Sequence, residues 1–131
     1  MKFPYVNYGG YFTPTIPVTL SIGDRCIVTE ALVDSGAASC IFDAQFAEAL
    51  GIDDIEEDGK PAEFQGISGD ILRGYRHEVT LEVGGRKFHD IEIAFSRDMP
   101  DNVVNILGQE GFFAICPIKF TYSKKEIDIM V

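Results

Sequence analysis

The sequence contains little of what several common classes of protein require. It has no tryptophan, two histidines and three cysteines among 131 residues, and 11 basic residues against 21 acidic ones. With a formal net charge of −10 and no run of lysine or arginine, the chain lacks the basic patch of a nucleic-acid-binding surface. The same charge disfavours binding to an anionic membrane surface.

Long apolar segments are also absent. No stretch approaches the roughly 20 apolar residues of a transmembrane helix, and residues 1–7 lack the apolar block of a signal peptide. Cys26, Cys40 and Cys116 are odd in number and lie among apolar residues, which is typical of buried, reduced thiols. These features predict a cytoplasmic protein that has neither a membrane nor a nucleic acid as partner.

Metal and cofactor sites are not indicated either. The acidic run 53–58 lacks the glycine and ligand spacing of a calcium loop, so we interpret it as a solvated loop. His77 and His89 both lie in strand-like segments, which disfavours a zinc site. We expect no metal, nucleotide or prosthetic group.

The chain does contain repeated two-residue hydrophobic alternation, which is typical of β-strands. Its 131 residues, 46% of them hydrophobic, suffice for one domain with its own core but not for two. We therefore expect a mostly β domain over residues 12–131, preceded by an N-terminal arm, residues 1–11. The predicted strands are residues 16–22, a more buried 26–33, 79–83, 91–95, and a closing hairpin over 118–131.

One short helix is predicted between these strands. Asp43 is an N-cap candidate, Phe42, Phe46 and Leu50 form an apolar stripe, and Gly51 stands where a helix would end. A weaker helical turn is expected over residues 109–115.

The sequence also repeats itself. Residues 18–25 (VTLSIGDR) are similar to residues 79–86 (VTLEVGGR). After each copy come a second strand, a glycine-containing motif led by apolar residues (31–36 and 104–108) and a helical stretch. Two copies are too few for a solenoid and predict an internal pseudo-twofold axis; the alternative is two unrelated hairpins with similar turns.

A carboxylate, a hydroxyl and a glycine follow the second strand at Asp34-Ser35-Gly36. Burying an ionised carboxylate without partners is costly, so this arrangement indicates a tight loop that displays Asp34 in a cleft. The alternative is a β-turn in which Asp34 bonds its own backbone, a common role of aspartate. The tripeptide alone does not decide between them.

The wider context resembles the retropepsins, the retroviral-type family of aspartic proteases. Ala31-Leu32-Val33-Asp34-Ser35-Gly36-Ala37 is similar to the family's active-site motif, and Ile106-Leu107-Gly108 to a second motif that packs behind the active-site loop. Gly66-Ile67-Ser68-Gly69 lies where the family has its flap. The resemblance spans roughly residues 12–131, with the three motifs in the family's order.

This resemblance implies a single-lobe acid-protease β-barrel with one or two short helices. The helix over 43–50 makes the chain more similar to cellular and bacterial members than to viral ones. The implied activity is an aspartic endopeptidase, in which two carboxyl groups activate a water molecule. Because the chain has a single Asp-Ser-Gly, a homodimer would have to pair two Asp34 side chains across a twofold axis.

The resemblance also implies roles for individual residues. Ser35 would bond to the partner's backbone, Gly36 would let the substrate backbone approach, and the flap around Ile67 would close over an extended peptide. Ala38 and Gln109 stand where retroviral members carry a paired acidic residue and arginine.

Two other functions remain open at this stage. The same fold could bind extended peptides or a partner protein without cleaving them, or Asp34 could cap a turn in a β-rich structural protein. Only the protease requires both a dimer and loss of turnover in the variant Asp34→Asn.

Overall fold

A computed structural model describes residues 1–66 and 69–131. The chain is mostly β, as the hydrophobic alternation predicts. Its strands are β1 (Lys2–Pro4), β2 (Val6–Tyr8), β3 (Tyr11–Thr13), β4 (Thr15–Ile22), β5 (Arg25–Val33), β6 (Ile41–Asp43), β7 (Lys60–Gln65), β8 (Ile71–Val83), β9 (Arg86–Ser96), β10 (Asn105–Leu107), β11 (Ile118–Thr121) and β12 (Glu126–Ile129). The helix α1 (Ala44–Ala49) and a 3₁₀ turn (Tyr122–Lys124) complete the described elements.

Six strands form a closed ring around the core. Their order is β4-β5-β10-β6-β9-β8, and β8 pairs back onto β4, while β7 extends the ring from β8 as a hairpin. Alternate residues of β4, among them Ile16, Val18 and Leu20, are buried. The predicted alternation along 16–22 therefore gives the inner face of the ring.

The predicted pseudo-twofold axis is present in the strand register. β4 and β8 pair antiparallel with Leu20 opposite Leu81, flanked by Thr19 with Glu82 and Ser21 with Thr80. Exchanging residues 18–25 with 79–86 maps this set of pairs onto itself, so the axis passes between Leu20 and Leu81.

The same symmetry corrects one part of the expected repeat. In the strand order, β4, β5 and β6 correspond to β8, β9 and β10. The second motif, on β10, thus corresponds to β6 and not to the motif at Ala31–Gly36. The motif at 31–36 and the motif at 104–108 both consist of apolar residues followed by a polar residue or a glycine. Such a pattern does not encode which strand of the other half each motif corresponds to. β10 lies parallel to β5, with Ile106 opposite Leu32.

The expectation that residues 26–33 form a more buried strand is wrong for the first half of β5. Ala31 and Val33 are buried, but Cys26 is exposed and Val28 is 70% exposed. The even-numbered residues of this half face away from the ring interior, so their apolar character does not report burial.

The predicted helix is confirmed as α1. The side chain of Asp43 accepts a hydrogen bond from the backbone N–H of Gln45, Phe42 and Leu50 are buried, and Gly51 follows the helix at φ +91°. The predicted turn over 109–115 consists of hydrogen-bonded turns, such as the Ala114 N–H to the Gln109 carbonyl at 3.0 Å.

Both ends of the chain meet in a second, three-stranded sheet. Its order is β1-β12-β11, which includes the predicted closing hairpin. β2 and β3 form a separate hairpin, so residues 1–11 contribute to both structures. No helix within residues 1–66 and 69–131 combines the length and apolar character needed to cross a membrane.

The cysteines differ in their surroundings, which gives a first prediction. Burial raises the pKa of the Cys40 thiol to about 11 and also raises the pKa of Cys116, whereas Cys26 is exposed, contrary to its predicted burial. Because thiolates are the reactive form, we expect a thiol reagent near neutral pH to label only Cys26 in the native chain. All three thiols should react after denaturation. Rapid labelling of a native Cys26→Ser variant would contradict this.

Candidate active site

The Asp34 loop begins where β5 is held on both sides. The N–H of Val33 donates to the carbonyl of Pro14 at 2.9 Å, and the N–H of Asp34 donates to the carbonyl of Leu107 at 3.0 Å. Because β5 lies between its two neighbours up to this point, the position of the Asp34 backbone is fixed by the ring.

The Asp34 side chain, which is half-buried, makes a local turn and keeps one oxygen available. Its Oδ1 accepts the N–H of Gly36 at 2.9 Å, and the Ala37 N–H donates to the Asp34 carbonyl at 3.2 Å. Within the described part of the chain, Oδ2 has no hydrogen-bond donor. From the sequence, a turn capped by Asp34 and a loop that displays its carboxylate were alternatives. In the structure, Asp34 does both. Ser35 and Gly36 are exposed beside it.

The second motif packs directly behind this loop. The N–H of Gln109 donates to the carbonyl of Ala37 at 2.8 Å, and that of Glu110 to Ala38 at 2.9 Å. Gly108 leaves no room for a side chain: a Cβ there would lie 2.3 Å from the Ser39 carbonyl oxygen and 2.8 Å from that of Ala37. The structure thus brings Asp34–Ala37 and Ile106–Gly108 together.

A buried asparagine joins the strands around the loop. Asn105 Oδ1 accepts the N–H of Asp43 on β6 at 2.9 Å, and its Nδ2 donates to the Glu30 carbonyl on β5 at 3.1 Å. Sequence analysis gave it no role. A polar residue between Val104 and Ile106 in an apolar strand was the available signal, since a buried amide needs partners.

Cys40 makes a similar connection with its sulfur. Its Sγ accepts the N–H of Gly108 at 3.4 Å and donates to the carbonyl of Glu110 at 3.4 Å. Because burial raises the pKa of this thiol to about 11, Cys40 acts here as a neutral hydrogen-bonding group.

Gly66 and Gly69, the outer residues of the segment expected to be a flap, lie between β7 and β8. The ladder of the β7–β8 hairpin runs from Lys60 opposite Arg76 to Gln65 opposite Ile71. The hydrogen bonds of Gly66 and Gly69 stay within the hairpin, whereas Ile67 and Ser68 lie outside the described residues. Near the base of the hairpin, Arg76 Nη2 donates to Ser39 Oγ at 3.4 Å, which links β8 to the chain just after the Asp34 loop.

Among the residues that the structure describes, no group of three or more His, Cys, Asp and Glu side chains could hold a metal ion. In the acidic run 53–58, Asp54 and Glu56 instead pair with Arg97 at 3.2 and 3.7 Å, on the protein surface.

The close packing of Gly108 gives a second prediction. We expect Gly108→Ala to lower the free energy of unfolding by about 3 kcal/mol, because the added methyl group overlaps backbone atoms of Ser39 and Ala37. Gly10→Ala is the control, since Gly10 has a positive φ of +95° but open space, and it should cost only the backbone strain of a left-handed residue, about 1–2 kcal/mol. Urea denaturation measures both; equal losses would contradict the packing argument.

Comparison with known proteins agrees with this geometry. A family model described as aspartyl protease matches residues 18–110, whereas no curated protein sequence matches the chain. A retropepsin-like aspartic protease from Rickettsia conorii superposes with a TM-score of 0.68 at 15% identity, covering 98% of this chain and 89% of that one. EIAV protease, complexed with the inhibitor HBY-793, gives 0.55 at 20% identity, over 79% and 88% of the two chains.

The two structural likenesses concern the fold, because both identities are low. The family match covers most of the chain and includes both the Asp34 loop and the second motif. The chain therefore belongs to the aspartyl protease family and has a retropepsin-like fold.

Proposed function

We propose that the protein is a homodimeric aspartic endopeptidase in which the Asp34 carboxyl groups of two chains activate a water molecule. The observation that carries this proposal is the Asp34 loop itself. Its backbone is fixed by hydrogen bonds to Pro14, just before β4, and to Leu107 on β10, and its carboxyl group keeps one oxygen without a hydrogen-bond donor in the described chain. A carboxyl group that only capped a turn would not need this support from the second motif.

The chemistry requires two such groups. One carboxylate takes a proton from water as the water oxygen attacks the peptide carbonyl carbon, and a protonated carboxyl donates to the carbonyl oxygen. Collapse of the tetrahedral intermediate breaks the C–N bond and transfers a proton to the leaving nitrogen. Two carboxyls about 3 Å apart share a single proton, which supplies both forms at once. With a single Asp-Ser-Gly per chain, the second carboxyl comes from a second copy.

The neighbouring residues fit supporting roles in this proposal. Ser35 is exposed, so its hydroxyl is free to bond to the partner's loop. Gly36 leaves the carboxyl uncrowded, because a Cβ there would lie 3.3 Å from Asp34 Oδ1. The β7–β8 hairpin, with Gly66 and Gly69 at its end, would act as the flap over an extended peptide with apolar side chains.

The surroundings of the enzyme follow from the same observations. All three cysteines are unpaired, which fits a reducing compartment, and we place the enzyme in the cytoplasm. We assign catalysis to the domain over residues 12–131, with residues 1–11 as an arm, and assign no cofactor or metal to the reaction. Its partners are a second copy and a peptide or protein substrate.

The variant Asp34→Asn tests the proposal. We expect cleavage of a peptide library between pH 4 and 7 to fall at least about a hundredfold, because an amide cannot exchange the proton. The fold should persist, since the asparagine Oδ1 can still accept the Gly36 N–H. Asp53→Asn, the same change at an exposed position of the acidic run, should leave cleavage unchanged.

Other results of this experiment have definite meanings. Full activity in Asp34→Asn would contradict the proposal. Peptide binding without cleavage by the wild type would indicate a binding module instead. Unfolding of Asp34→Asn would show that Asp34 serves the structure of its turn.

The acidic surface predicts how the dimer responds to solution conditions. Two chains of −10 give a dimer of −20 at pH 7, and this like charge opposes association. We expect tighter association, and with it higher activity, at mildly acidic pH or in high salt, where charge is neutralised or screened. Sedimentation velocity over both variables measures this. A dimer that is insensitive to both would rule out charge repulsion as a significant factor.

A further inference from the structure

A glutamine side chain contacts the Asp34 loop from the second motif. Gln109 Nε2 donates to the carbonyl oxygen of Ser35 at 2.7 Å, while its backbone N–H donates to the carbonyl of Ala37 at 2.8 Å. One residue thus holds two carbonyl groups of the loop, on either side of Gly36.

The peptide group between Ser35 and Gly36 connects this contact to the carboxyl group. Its carbonyl oxygen accepts the Gln109 amide, and its N–H donates to Asp34 Oδ1 at 2.9 Å. If this peptide group turned over, its carbonyl would face the carboxylate and its N–H would face away. The glutamine contact opposes that rotation, and a donor at the carbonyl also strengthens the hydrogen bond that the N–H makes.

We propose that Gln109 is a positioning residue for Asp34, acting through the Ser35–Gly36 peptide group. This inference rests on the proposed function and assigns a role to one more residue of the same site. Gln109 and Ser35 are both exposed in the single chain, so water competes for their hydrogen bond. A second copy covering the loop removes that competition, and the contact then acts on turnover more than on the stability of the chain.

Three substitutions separate hydrogen bonding from other effects. Gln109→Glu keeps the shape but places a carboxylate against the Ser35 carbonyl, and it regains a donor only when protonated, around pH 4.3 for an ordinary glutamate. Gln109→Ala removes the donor at every pH, and Gln109→Lys supplies a donor at every pH. Gln45→Glu repeats the first change on the exposed surface of α1 and is the matched control.

We expect kcat of Gln109→Glu relative to wild type to rise roughly two- to tenfold from pH 6 to pH 4, the effect of one hydrogen bond. The ratio of kcat in Gln109→Ala to kcat in wild type should stay low and should not change with pH. Gln109→Lys should recover activity, and Gln45→Glu should match wild type. Asp34 and Glu110 carry titratable carboxyls in every variant, and a carboxylate at 109 can couple to their titration, so Gln109→Ala, which adds no charge, isolates the loss of the donor. A flat ratio for Gln109→Glu would overturn the inference.

Amide hydrogen exchange gives a reading that does not need turnover. In Gln109→Ala the Gly36 N–H should exchange about two- to tenfold faster than in wild type, while the Gly66 N–H, bonded to Asp70 within the hairpin at 3.0 Å, should not change. Unchanged exchange at Gly36 would overturn the inference even if the enzyme is active. If the wild type does not cleave, the proposed function fails, and exchange still decides the role of Gln109.

Discussion

The site depends on the parallel pairing of β10 with β5. This pairing places the Leu107 carbonyl at the N–H of Asp34 and brings Gly108 against the carbonyls of Ala37 and Ser39. A residue larger than glycine at 108 would separate the two segments. From this contact follow the bonds of Gln109 to the loop and the position of Cys40 behind it. The Asp34 loop is therefore shaped by a segment more than 70 residues away in sequence.

The ring explains why one chain offers only half of the proposed chemistry. Its two halves are related by an axis between Leu20 and Leu81, and they share strands, turns and hydrophobic pattern. Only the first half carries Asp-Ser-Gly. The internally symmetric ring thus supports one carboxyl group, that of Asp34. In the proposed reaction, the second carboxyl group comes from a second chain. The family and the fold are shown by the comparisons, whereas the pairing of carboxyls is the step that we propose.

Sequence reasoning reached the long strands, the closing hairpin, the helix and the pseudo-twofold axis because each has a local signature: alternation, an N-cap with its glycine stop, or a repeated segment. It did not predict the short strands β1–β3, β6 and β10, or β7. It singled out Asp34 as a candidate site residue from the Asp-Ser-Gly motif. It misjudged Cys26, since alternation does not say which face is covered, and it matched the second motif to the Ala31–Gly36 motif instead of to β6. The contact between Gln109 and Ser35 depends on how two distant loops meet, and no pattern within either segment encodes that geometry.

The central claim, one Asp34 from each of two chains, is tested most directly by mixing wild type with Asp34→Asn at constant total protein. The chains are denatured and refolded together so that they pair at random. If both carboxyls are needed, activity follows the square of the wild-type fraction, and an equal mixture retains about a quarter of the wild-type rate. An activity that falls in proportion to the wild-type fraction, about half in the same mixture, would show that one Asp34 suffices and would contradict the account.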